Sequence, residues 1–422
     1  MTNDAAPDLS AFSPDEIDLA SPDSFLGGIP QAWFEHLRRN EPLSWTDEPE
    51  GRGFWSFVRH RDVFEVSKDT TTYSSEIGGT SLEDLEDDQI EVRKSMIDTD
   101  PPRHGELRDI TRRDFTPRAV GVYEEQIRQT FRWLLAEALE RREFDFVEHV
   151  SVELPMRVFA ELLGAPLEDR LYVVDLGNRI LGNDDPEFSG ALTNDERQAY
   201  RELPFSSPAA AEMFAYGQKL AALRREEPRD DLVTDLLEAT PGGRELTERE
   251  YNVYFLLLAT AGNETTRHAI SSTVHLLSRH PEVVRRLRDE PALCGKAADE
   301  MMRWSTPVLH FRRTATRDVE AYGQTIRQGD KVVIWYAGAN WDEDVFEDPY
   351  RVDPARTPNK HLAFGLGGPH FCLGAHLARL ELRIVLEELV PYLDRLELLA
   401  EPEIMRSNFF NGIKRMPVRY VP

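Results

Sequence analysis

The sequence predicts a mainly α-helical fold with small β-sheets, on three observations. Apolar residues recur at helical spacing over several long stretches, the clearest running from Thr247 to Pro281. Runs rich in Val, Ile, Tyr and Phe with turn residues between them are short and lie towards the two ends. No Pro- or Gly-rich linker divides the 422 residues, so residues 23–422 read as one domain behind a flexible arm, 1–22, marked by Pro7, Pro14 and Pro22.

Taken in order, QAWFEHLRRN (31–40) is a short amphipathic helix, GFWSFVRH (53–60) a β-rich stretch and RDVFEVSKD (61–69) a second helix. Ser74 to Asp98 is a long acidic segment with Gly78-Gly79 and EDLEDD. A lid over an apolar pocket would hold its Ile77, Leu82, Leu85, Ile90 and Met96 inward. Pro101-Pro102 then open a helix on which His104 and Arg108 share a face, offering a cationic clamp for an anion. Arg112, Arg113 and Arg118 extend that basic cluster. Long helical patterns cover 121–163 and 211–225. Residues 311–346 read as β-hairpins turning at Gly323 and Gly329. The C-terminal RSNFFNGIKRMPVRYV reads as another hairpin with Asn411-Gly412 as its turn.

Composition narrows the function. A net charge of −26 excludes a nucleic-acid binder, because phosphate contacts need a basic face. Only seven Lys stand against forty-three Arg, which fits a GC-rich coding bias, with adaptation to a salty cytoplasm as the alternative. No apolar run reaches the roughly 18 residues of a spanning helix. Cys294 and Cys372 give no disulfide framework, and the acidic N-terminus lacks a signal peptide's basic and apolar regions. The expected compartment is the cytoplasm.

Three motifs carry chemistry. The first is HLAFGLGGPHFCLGAHLARLELRIVLEELV (361–390), where Cys372 sits among glycines just before an amphipathic helix. Helix N-terminal N–H groups favour a thiolate there, and glycines let backbone approach a flat ligand. A dinucleotide loop fails on detail, since Pro369 interrupts the turn and His370 occupies the third glycine position. The second motif is Ala261-Gly262-Asn263-Glu264-Thr265-Thr266 inside the apolar Thr247–Pro281 helix. Buried Glu and Thr need partners, small residues admit a ligand and make a local bulge, and Thr265 with Glu264 offers a hydroxyl and a proton source. The alternative is a Thr bonded back to its own helix and a salt-bridged Glu. The third is Glu300 and Arg303, one turn apart beside Met301, Met302 and Trp304, with Arg356 able to supply a third polar partner.

Together these motifs resemble, from about residue 25 to 420, the cytochrome P-450 superfamily of haem-thiolate monooxygenases. The resemblance implies a helix-rich and a β-rich lobe around a buried haem b (iron protoporphyrin IX), with Cys372 as the iron ligand. It implies Glu264 and Thr265 as the acid–alcohol pair that guides protons to dioxygen. His104, Arg108, Arg313 and His370 would pair with the haem propionates, and Ala261, Phe364 and Gly374 would complete the haem surroundings. Glu300, Arg303 and Arg356 would form a structural triad behind the Cys loop. Here Phe364 stands eight residues before Cys372 instead of the commoner seven, the extra residue lying in Gly367-Gly368-Pro369. The extended loop, AGNETTR, GNDDPEF, DPPRHGELR…FTPRAV and NGIK are similar to actinobacterial members acting on sterols, branched lipids or terpenoids. Expected substrate contacts are Ile77, Leu82, Ile90, Met96, the 178–210 segment, Ala261, Val308, Leu309, Phe409 and Phe410. No flavin or iron–sulfur domain is present, so the implied electron donors are a separate ferredoxin and its NAD(P)H-dependent reductase, docking near Arg112, Arg113, Lys360 and Arg379. A peroxide-driven enzyme of the same fold and a non-catalytic haem sensor are the alternatives.

Overall fold

Thr247 and Glu250 start the element on which the rest of the chain packs. The Thr247 hydroxyl accepts the Glu250 N–H at 3.2 Å and the Glu250 carboxylate accepts the Thr247 N–H at 2.8 Å, a reciprocal cap. The helix so capped runs Glu248–Ser278 without interruption. The bulge expected at Ala261-Gly262 is absent, and the Thr265 hydroxyl donates back to the Ala261 carbonyl at 2.9 Å within regular helix. The computed structural model describes residues 7–9, 12–49, 51–182, 184–189 and 198–422.

Helices Glu153–Leu163, Arg170–Leu181, Pro208–Glu226 and Cys294–Ser305 pack around this central helix. The last helix, Ala375–Leu389, joins the bundle with Leu377, Leu380, Ile384 and Leu389 buried, as its sequence periodicity predicts. The long helical pattern over 121–163 is in fact divided. Helix Glu124–Glu140 ends, Glu143–Asp145 forms a strand, and a π-helical turn at Val147–Ser151 leads into Glu153–Leu163. Phe144, Phe146, Val147 and Val150 are buried in either geometry, so apolar spacing alone did not reveal the break.

A five-stranded sheet forms the second lobe, in the order Leu43–Thr46, Phe54–Phe57, Lys331–Trp335, His310–Ala315 and Tyr73–Ser74. Lys331–Trp335 pairs parallel with Phe54–Phe57 and antiparallel with His310–Ala315. Val319–Ala321 and Gln324–Ile326 form the expected hairpin; its turn, Tyr322-Gly323, has two left-handed residues. The C-terminal hairpin differs from expectation. Glu403–Ile404 pairs with Ile413–Arg415, and Asn411-Gly412 lies at the end of the connection, not in a two-residue turn. Gly412 is needed for another reason: a Cβ there would lie 2.6 Å from the His268 ring.

Of residues 12–22, expected to be part of a flexible arm, 13–16 are exposed but Ile17, Leu19 and Ala20 are packed. Leu19 is fully buried beside Phe25, Phe34 and Trp335, and the Asn408 amide donates to the Ala20 carbonyl at 2.7 Å. Among the described residues no helix is long and apolar enough to cross a membrane.

Candidate functional site

Between the central helix and the Cys372 loop lies a mainly apolar cavity. Cys372 lines it, three residues before the first turn of Ala375–Leu389. The loop is closed by the Cys372 N–H donating to the Phe364 carbonyl at 2.8 Å. Phe364 is held in turn by the Arg379 guanidinium, 4.5 Å over its ring, and by His361 at 5.5 Å. The extra residue is taken up on the outer side. Gly367 and Gly368 lie against helix His60–Lys68, where Cβ atoms would strike Phe64 and the Ser67 carbonyl. Phe364 therefore keeps its place on the cavity despite the longer loop.

Burial pushes the Cys372 thiol up, against the Gly374 N–H and the Arg108 and Arg379 charges. The helix-terminal preference for thiolate is thus outweighed by desolvation in the protein alone.

His104, Arg108, Arg313 and His370 converge on this cavity, and among the described residues no carboxylate lines it. The His104 and His370 rings are 4.2 Å apart. Burial, with Arg108 next, pushes His104 down to about 4. Burial and then Arg313 push His370 down to about 2. Both rings are neutral at pH 7, so the cationic face rests on the two arginines and the histidines serve as hydrogen-bonding groups. Arg313 is 2% exposed, spends Nη1 on the Arg312 carbonyl at 2.7 Å, and has a buried Nε without a partner. Opposite, a Cβ on Gly374 would meet no atom within 4 Å. An unpaired buried guanidinium nitrogen, a carboxylate-free cationic wall and an open glycine face beside a thiol fit a flat, iron-bearing, dianionic group. Cys372 would hold its iron, and Arg108 and Arg313 with His104 and His370 its carboxylates.

Behind the loop, Glu300 is fully buried. Arg303 grips it twice, at 3.0 and 2.9 Å, and Arg356 Nε reaches both oxygens at 3.1 Å. Asn359 and the Asp353 N–H complete the shell at 3.0 and 3.1 Å. Burial would raise this carboxyl, yet Arg303 and Arg356 hold it below the usual range. Arg303 and Asn340 link the group to the loop: Arg303 Nη1 donates to the Asn340 carbonyl at 2.9 Å, and Asn340 Oδ1 accepts the Leu362 N–H at 2.7 Å.

The acid and the alcohol of the central helix part company. Thr265 and Ala261 line the cavity, whereas Glu264 is 2% exposed and paired with Arg267 on the other face. Asn263 donates to Glu264 at 3.2 Å and His268 stands 3.8 Å away. Burial raises the Glu264 carboxyl and Arg267 opposes this. Successive side chains on a helix point about 100° apart, and here that turn carries Glu264 out of the cavity lining and onto Arg267. Gly262 lines the cavity as expected, and Phe159 bounds it there: a Cβ on Gly262 would lie 2.6 Å from that ring.

A second cavity adjoins the first and shares Ile97, Leu257, Ala261, Thr265, Val308 and Phe311 with it. Of the expected substrate contacts, Leu85, Ile90, Val308, Phe409 and Phe410 line this space and Met96 lines the first. Three do not. Ile77 is 52% exposed, Leu82 packs behind the sheet against the Leu309 cluster, and Leu309 is buried there. Val308 bridges Phe410 in extended backbone, which turns its neighbour Leu309 the opposite way. Ile97 and Phe311 are cavity residues that the sequence reading missed; Phe311 follows from the alternation that places Arg313 on the same side of its strand. From the 178–210 segment, Leu181, Pro204 and Phe205 line the second cavity, while 183 and 190–197 lie outside the described residues.

Comparison with known proteins agrees with this arrangement. The family model described as Cytochrome P450 matches residues 210–413. The chain is 37% identical over 421 residues to the steroid C26-monooxygenase of Mycobacterium tuberculosis, covering 96% of this chain and 93% of that one. It is 37% identical over 413 residues to the linalool 8-monooxygenase of Pseudomonas putida, covering 96% and 99%. A Mycobacterium marinum cytochrome P450 solved in complex with pseudoionone superposes with a TM-score of 0.87 at 35% identity, covering 97% and 100%. Over nearly its whole length, then, in sequence and in fold, this chain belongs to the cytochrome P450 family of oxygen-inserting oxidoreductases.

Proposed function

We propose that the protein hydroxylates a steroid, terpenoid or branched lipid, using O2 and two electrons delivered by a ferredoxin and its reductase, with haem b as the cofactor. The observation that carries this reading is the continuity of the two cavities across Thr265 and Ala261. It gives an apolar substrate a path to the Cys372 wall. Haem iron with a thiolate ligand supplies O–O cleavage and oxygen insertion into a C–H bond.

The chain's own groups do the rest. Val308, Phe311, Leu257 and Phe410 exclude water and orient an apolar skeleton. Thr265 presents a hydroxyl where a proton is required, while Glu264 is stored at Arg267 and reaches the cavity only if that pair opens. The names of its relatives support this substrate range. The proposed compartment is the cytoplasm.

The test is turnover of a steroid and a terpenoid with NADPH, a surrogate ferredoxin and its reductase under labelled O2. One labelled oxygen atom in the product is expected. Turnover with hydrogen peroxide alone would favour the peroxide-driven alternative, and tight haem binding without any product would favour a sensor.

A further inference from the structure

The roof of the second cavity holds a feature that the chemistry above does not use. It is the turn Pro204–Ser206, from which Phe205 lines the cavity. Phe205 and Ser206 both have left-handed backbone, with φ of 58° and 48°. Residues bearing a Cβ hold that conformation only where their surroundings enforce it.

Arg93, the last residue of the short lid helix Asp87–Arg93, supplies the enforcement. It is 8% exposed, and each of its nitrogens is engaged by protein. Nε donates to the Arg201 carbonyl at 3.0 Å, Nη1 to Glu83 at 2.7 Å, and Nη2 to the Arg201 carbonyl and to Ser206 Oγ at 2.9 Å. Ser206 Oγ donates to the other Glu83 oxygen at 3.1 Å. Arg93, Glu83 and Ser206 thus form a closed triangle joining the lid to the strained turn.

We propose that Arg93 is a specificity-determining positioning residue: by tying the Phe205–Ser206 turn to the lid, it sets how far Phe205 reaches into the cavity and so the size of substrate preferred. Arg93 itself lines the cavity, with four of its five N–H donors engaged by protein and its charge met by Glu83. Without it the turn relaxes towards right-handed backbone and Phe205 withdraws. A small substrate then loses a wall, and a large one gains room. The inference rests on the reading that the second cavity holds the substrate.

The test compares wild-type, Arg93→Met, Arg93→Lys and Ser206→Ala holoenzymes in spectral titrations with linalool as the small probe and cholesterol as the large one, displacement of imidazole serving where no spin-state change occurs. In Arg93→Met, linalool should bind about tenfold more weakly and dissociate faster, with cholesterol unchanged or tighter. Ser206→Ala should move the ratio of the two affinities in the same direction by less, and Arg93→Lys should recover part of it. Imidazole affinity, which reads the inner cavity, should not change. An unchanged or reversed ratio, including equal loss for both probes, overturns the proposal. If Arg93→Met fails to fold, the ratio in Ser206→Ala decides by the same criterion. Binding of neither probe to wild-type protein that retains a thiolate-type carbonyl spectrum overturns the substrate reading, and this inference with it; loss of that spectrum in the wild type refutes the haem-thiolate assignment.

Discussion

Glu300 accepts hydrogen bonds from two guanidinium groups at full burial, and its replacement is expected to be the most damaging single change outside the cavity. Glu300→Gln leaves Arg303, also fully buried, without its counter-charge. Removing one partner of such a group costs about 3–5 kcal/mol. A Tm drop with loss of haem retention is expected in thermal melts; an unchanged melt would show the triad to be dispensable. The sign of the pH effect follows. The carboxyl is held below its unfolded value, so its contribution is complete above about 4.3 and is lost as pH falls below that. Wild-type protein should lose stability in this acid range, and Glu300→Gln should lose less. Cys372→Ser should abolish the thiolate-type spectrum of the reduced carbonyl complex, a retained spectrum refuting the ligand assignment. Thr265→Ala should leave haem binding intact while diverting electrons from product, read as the ratio of product formed to NADPH consumed.

Elements translate these residues into a site, and they were legible to different degrees. Helices with wide apolar stripes and chemical caps, such as Glu248–Ser278 with Thr247 and Glu250, could be read from spacing, as could the wall formed by His104 and Arg108 four residues apart. Features set by distant contacts could not. Gly262 lines the cavity, yet its lack of a Cβ is also dictated by Phe159 from another helix, which a side chain there would strike. Gly412 reads as turn chemistry, yet His268 from the central helix dictates it. The extra residue of the Cys loop looked like a threat to Phe364, but His60–Lys68 offers a surface against which two glycines lie flat. Each case turns on long-range close packing, which one sequence does not display. The same contacts predict outcomes. Gly262→Ala should cost about 1–3 kcal/mol through overpacking on Phe159, read by denaturant melts. Gly368→Ala should displace the Cys loop from the Ser67 carbonyl, and is expected to accelerate haem loss to apomyoglobin; an unchanged rate would show that the loop does not depend on this contact.

At the scale of the molecule, a net charge of −26 makes the location of exposed cations decisive for any acidic redox partner. Arg112 and Arg113 follow the helix that carries His104 and Arg108, and both are well exposed, at 67% and 71%. They are not bare charges. Arg112 meets Asp109 at 3.1 Å, Arg113 is bonded to Asp235, and Arg379, a third member of the expected patch, is bonded to Asp299 at 2.7 Å. Exposed pairs of this kind contribute little to folding, so reversing the arginines should leave the melt nearly unchanged. The electrostatic effect is larger. Glu at both positions changes the local charge by about four units and places new carboxylates beside Asp109, Asp114 and Asp235. Ferredoxin-driven reduction of Arg112→Glu/Arg113→Glu should therefore slow at least about tenfold at low salt. The gap should narrow as ionic strength rises and the screening length falls to roughly 8 Å near 0.15 M. Reduction by dithionite, which needs no protein docking, should stay close to wild type. Stopped-flow reduction across a salt series separates these cases: equal rates for wild type and double variant at every ionic strength would move the docking surface elsewhere.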